Sequence, residues 1–231
     1  MRDNIQTKRK EMKVLKISLL AFAFIGLGAM GIAQDGEQDD PKANKILKEV
    51  SKKYKGYKTM YAEFTMKIES RADGSKEMYN GKLWIKGDMF KVIVAGQEIV
   101  CDAKTLWVYN EAVNEVQISK YQKNSDDFNP SEIFTIYETG FTSRLKNEFE
   151  EEGKTYQLIE LNPKNKKEPY FLLKLYVNKA EQSIQTLRIL YKSGSTHTYR
   201  IEKFQSNNGM EDKTFTFDKS KYTDVTEIDL R

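Results

Sequence analysis

The sequence predicts a mainly β protein with a few α-helices, whose strands, about eleven in number, form one antiparallel sheet. Two observations carry that reading. Apolar and polar residues alternate with a period of two over most of the chain after Tyr57. Turn residues cut this alternation at short intervals, at Asp73-Gly74, Gly87-Asp88, Gly96, Gly153, Ser193-Gly194 and Asn207-Asn208-Gly209.

The elements follow in order. Lys8-Arg9-Lys10, Lys13 and Lys16 precede an apolar run from Ile17 to Ile32, and Gly31-Ile32-Ala33 supplies the small residues of a signal-peptidase site. This pattern predicts a secretory signal over residues 1–33, cleaved before Gln34, and a single domain over 34–231. The run is short for a membrane anchor, which needs roughly 20 residues. Met12 is an alternative start. No cysteine lies near the cleavage position, so a lipid-anchored mature chain is not expected. The leader carries six of the 38 Lys and Arg and two of the 34 Asp and Glu, leaving 32 of each and a net charge near zero. The alkaline character belongs to the leader and points to no nucleic-acid partner.

Asp40 and Pro41 open a helix as cap and first residue. Ala43, Ile46, Leu47, Val50 and Tyr54 give it one apolar face, and Gly56 ends it. Ala62, Phe64, Met66 and Ile68 then alternate with polar residues, and Glu77–Lys86, Phe90–Ala95, Glu98–Cys101, Thr105–Asn110 and Glu115–Lys120 continue as a meander. A polar loop over 123–129 leads to Asn129-Pro130-Ser131-Glu132, a capping-box pattern, with Ile133, Phe134 and Tyr137 at helical spacing before Gly140. Strands resume at Arg144–Glu151, Lys154–Leu161, Tyr170–Asn178, Ile184–Tyr191, Thr196–Gln205 and Lys213–Phe217.

So many strands in one sheet must curl, closing or nearly closing into a barrel whose mouth the two helical segments could plug. Gly81, Leu83 and Ile85 share one phase, as do Phe90, Val92 and Val94, so one face is richly apolar. That face either packs a filled core or lines a cavity, and the alternate phase (Trp84, Trp107, Tyr109) is the other candidate for the inner side.

Catalytic and metal-binding patterns are weak. Cys101, the lone cysteine, reads as a small buried residue rather than a reactive thiol. His197, the lone histidine, sits in a strand with no accompanying nucleophile motif. Adjacent Glu148, Glu150, Glu151 and Glu152 do not converge as metal ligands do. Lys164, Lys166 and Lys167 form a solvated basic loop. We expect no enzyme, no cofactor and no metal.

Gly81, Leu83, Trp84, Ile85 and Lys86, then Phe90, then Asp102, Lys104–Trp107, Tyr109 and Asn110 resemble the periplasmic outer-membrane lipoprotein carrier family, LolA. Ala62, Phe64 and Thr65 upstream, and Tyr156-Gln157-Leu158, Asn162-Pro163-Lys164 and Lys213–Phe217 downstream, extend the likeness over roughly 41–225. The resemblance implies an unclosed antiparallel β-barrel capped by a helical lid around an apolar cavity. It implies a monomeric periplasmic carrier with acylated lipoproteins as cargo, an inner-membrane ATP-driven extractor as donor and an outer-membrane acceptor. A lipid- or lipoprotein-binding sensor of the same fold is the alternative. Phe64, Met66, Leu83, Ile85, Phe90, Val92, Val94, Ile133 and Phe134 are then expected to line the acyl-chain cavity, and Met66 and Met89 to adapt its shape. The family commonly has an Arg-Pro pair after this Ile-Lys, helping to latch the lid. Here Gly87-Asp88 follows, and Ala103 replaces a customary turn glycine.

Overall fold

A computed structural model describes residues 39–122, 134 and 136–231. The first helix, α1 (Pro41–Lys55), forms as its sequence dictates. Asp40 caps it by accepting from Lys42 N, Pro41 occupies the first position, and Gly56 N–H returns to the last-turn carbonyls of Lys52 and Lys53. It buries Ala43, Leu47, Val50, Ser51 and Tyr54 on one side.

Twelve strands follow in one sheet. A first meander comprises β1 (Thr59–Ser70), β2 (Lys76–Lys86), β3 (Met89–Val94), β4 (Gln97–Cys101), β5 (Thr105–Asn110) and β6 (Glu115–Lys120). A second comprises β7 (Phe141–Glu151), β8 (Lys154–Pro163), β9 (Tyr170–Asn178), β10 (Ser183–Tyr191) and β11 (Ser195–Ser206). Antiparallel pairing of β1 with β11 fuses the two meanders. The edges are β7 and a last strand, β12 (Thr226–Asp229), which runs parallel to β6. These edges are not paired with each other, so the sheet is an unclosed barrel.

The strand expected at Lys213–Phe217 is instead a 3-10 turn at Asp212–Phe215, with Phe215 fully buried. Its alternating Thr and Phe residues fit a strand equally well in isolation. The unanticipated β12 brings the count to twelve. The central helical insert lies mostly outside the described residues. Its described end is a short 3-10 turn at Ile136–Glu138.

The edge strand β7 is not left bare. Ser143 N donates to Asp39 Oδ1, and Asp40 N donates to Ser143 O. Leu145 N donates to Asp40 Oδ2. The entry to α1 thereby satisfies backbone groups that an edge strand would otherwise expose.

Candidate functional site

The inner face is built in rows by strand register. Met60, Ile85 and Phe90 align across β1, β2 and β3, with Cys101 of β4 beside Phe90. Ala62, Leu83 and Val92 form the next row. Both rows are buried and join the helix residues Leu47, Val50 and Tyr54, and Ile159, Leu161, Leu173 and Leu175 from the other half of the sheet, in one core. Helix α1 therefore covers this part of the inner face. Tyr54 anchors the helix end: its ring stacks on Phe134 at 4.5 Å, and its hydroxyl accepts from Ile184 N at 3.1 Å. The latter contact falls beside a register shift in β10, where a backbone N–H would otherwise lack a ladder partner.

Farther along the strands the cover thins. Phe64, Gly81 and Val94 align in a third row, and Phe64 and Val94 are only partly buried. Across the β1–β11 junction lie Tyr199, Ile201 and Ile189, also partly buried and packed on the same core. Phe64 and Tyr199 have ring centroids 6.3 Å apart. Burial pushes the Tyr199 hydroxyl well above its ordinary pKa, keeping it neutral. His197, its ring 4.5 Å from that of Tyr191, is shifted below 6.5 by burial, which also favours the uncharged form. The named side chains of this half-covered zone form an apolar surface, suited to hold an alkyl chain.

The residues singled out from sequence fall on both zones. Leu83, Ile85, Phe90, Val92 and Phe134 are buried in the core with α1, and Met66 is buried as well. Phe64 and Val94 belong to the half-covered zone. Ile133 lies outside the described residues. Sequence reasoning missed Tyr199, Ile189 and Ile201, which lie in the second meander, although their own period-two spacing marks the same face.

The alternate phase belongs to the opposite face. Trp84 packs against Tyr61 with centroids 5.2 Å apart. Tyr109, Val116 and Ile118 form a second core with Val225, against which Trp107, Phe217 and Tyr222 pack. Tyr222 OH donates to Glu98 Oε2 at 2.6 Å, and Lys91 pairs with Glu98 at 2.8 Å. The C-terminal segment thus straps the back of β4–β6.

No metal-holding cluster of His, Cys, Asp or Glu occurs among the described residues. Burial raises the Cys101 thiol to about 11, far from thiolate reactivity. Glu148 is paired with Lys179 and Gln157, which hold its carboxyl below the usual range. Ala103 adopts φ 71°, with Asp102 Oδ1 accepting from Lys104 N and Thr105 N to secure the turn. No helix among the described residues is long and apolar enough to cross a membrane.

The family model described as outer membrane lipoprotein carrier protein LolA matches residues 55–218. The chain belongs to the LolA family. Among solved structures, an uncharacterized conserved protein from Thermus thermophilus is similar at 16% identity, with a TM-score of 0.53 over 81% of this chain and 99% of that one. A LolA superfamily protein, NE2245 from Nitrosomonas europaea, is similar at 15% identity and a TM-score of 0.40 over 76% and 97%. LprF from Mycobacterium bovis is similar at 9% identity and a TM-score of 0.48 over 75% and 98%. No curated protein matches the sequence. The Thermus likeness agrees with the unclosed sheet, and the family match places this chain in a lipoprotein-carrier type of family. Gly87, which follows Lys86 in the turn between β2 and β3, adopts φ 58°.

Proposed function

We propose that this chain is a periplasmic carrier that shields the acyl chains of lipoproteins and moves them from the inner to the outer membrane. Residues 1–33 are its signal peptide, removed before Gln34, and residues 34–231 its single working domain. Its partners are acylated lipoproteins, an ATP-driven extractor and an outer-membrane acceptor.

One observation carries the reading. A row of half-buried apolar side chains, Phe64 and Val94 with Tyr199 and Ile189 beyond, continues the core out of the cover of α1. An alkyl chain laid along this margin leaves water. Each methylene so buried contributes about 0.8 kcal/mol, and one acyl chain on the order of 10 kcal/mol. Affinity of that size would trap the cargo unless something competes. The helix, packed on the same face in the empty state, is that competitor. An acyl chain longer than this margin reaches into the core that α1 shares and must displace part of the helix packing, which tempers net affinity.

The test is to isolate the protein from its native envelope, extract it and look for acylated species by mass spectrometry, then ask whether it releases lipoproteins from spheroplasts. Bound acyl chains with release support the carrier. Bound chains without release support the sensor. Failure of both assays removes the proposal.

A further inference from the structure

A second opening lies on the other flank of α1, between the helix and the 3-10 turn at Ile136–Glu138. It is a groove of about 600 Å³. Leu47 lies at its floor, and Leu47 and Tyr137 both belong to the main core. Its wall carries Lys48, Lys52 and Lys55, brought to one side by their helical spacing. Glu138 is the carboxylate lining it, and Lys55 pairs with it at 2.6 Å. Among the described residues, Lys48 and Lys52 have no ion-pair partner.

Two hydroxyls complete the groove. Ser51 and Tyr137 are each 4% exposed, both line it, and neither Ser51 Oγ nor Tyr137 OH has a hydrogen-bond partner among the described residues. Buried polar atoms are rarely left so, because each unpaired group carries a desolvation cost. Burial raises the Tyr137 hydroxyl far above its ordinary pKa, so it stays protonated and able to donate. Two unpaired donors beside two unpaired ammonium groups ask for an acceptor with negative charge, and the apolar floor asks for hydrocarbon next to it.

We propose that this groove binds a phosphate-bearing ligand, its oxyanion hydrogen-bonded by Ser51 and Tyr137 and neutralised by Lys48 and Lys52. The site is separate from the half-covered inner face and does not depend on the carrier reading.

The test is calorimetric titration of the protein purified from its envelope with dihexanoyl phosphatidic acid. Dihexanoyl phosphatidylcholine, whose choline cancels the charge, and inorganic phosphate serve as parallel probes. Phosphatidic acid should bind about ten-fold tighter than phosphatidylcholine. Lys48→Glu with Lys52→Glu should abolish that preference and leave acyl-chain content unchanged. Tyr137→Phe should weaken binding several-fold without lowering Tm. Inorganic phosphate binding as tightly as phosphatidic acid assigns the site to a free oxyanion. Weaker inorganic phosphate assigns it to a lipid headgroup. Equal affinity for the two lipids, no binding by either phosphatidic acid or inorganic phosphate, or indifference to the lysine substitutions overturns the proposal.

Discussion

Phe64 of β1 covers Gly81 of β2 on the inner face: a Cβ added at Gly81 would collide with the Phe64 ring at Cζ. The two residues are register partners, so the glycine is where the sheet makes room for the ring. Gly81→Ala should displace Phe64 and cost about 1–2 kcal/mol as an overpacking change. The cost should shrink in a Phe64→Leu background, because the clash is with that ring. Urea unfolding of both single variants and the double variant measures the coupling. Additive effects would mean that the ring does not rest there.

The two burial zones predict two kinds of failure. Leu83 is 5% exposed, and Leu83→Glu places an unpaired charge in the shared core, costing about 3 kcal/mol or more. That variant should lose cooperative unfolding or its midpoint. Val94→Glu lies in the half-covered zone, where the carboxylate can reach water. It should keep its stability within about 1 kcal/mol and lose bound acyl chain, as read by mass spectrometry of the purified protein. Retention of acyl chain by Val94→Glu would place the binding surface elsewhere.

Most of the sheet was legible because period two is a local property. The α1 boundaries were legible too, since Asp40, Pro41 and Gly56 are local signals that the structure uses as written. The C-terminal strap was not. Thr105–Asn110 carries bulky residues in both phases, and only Tyr222, Val225 and Phe217, over a hundred residues away, decide that Trp107 and Tyr109 face outward under cover. The same distance hid β12, whose four residues have too short a pattern to stand alone. The cap at Asp40 shows a subtler limit. Its first oxygen serves the helix, as a cap should, but its second serves Leu145 on an edge strand that no local rule connects to it. The inner zone was half read: Phe64 and Val94 were found by phase, whereas Tyr199 and Ile189 became neighbours only through the β1–β11 junction.

Tyr54 and Tyr137 should answer the same substitution in opposite ways. Tyr54→Phe removes the acceptor for Ile184 N at a register shift and leaves a buried donor unpaired, costing about 1–2 kcal/mol. Tyr137→Phe removes a hydroxyl without a partner among the described residues, so it should be neutral or slightly stabilising in ligand-free protein. Denaturant midpoints of the two variants side by side decide this. Equal losses would show that Tyr137 OH is satisfied in solution.

Asp40 links α1 to the edge of the sheet through a titrating group. Backbone donors from Leu145 and then Lys42 hold its carboxyl below its ordinary 3.8. A folded-state pKa below the unfolded value means that the unfolded chain binds the proton more readily. The contribution is therefore present above 3.8 and is lost as pH falls through the lower folded value. Asp40→Asn keeps one oxygen to cap the helix but loses the charge that both donors favour. It should lower Tm at neutral pH and show a shallower further fall below pH 3.8 than the parent. If the parent and variant curves stay parallel down through that window, the tie between Asp40 and Leu145 contributes nothing to holding the helix on the sheet.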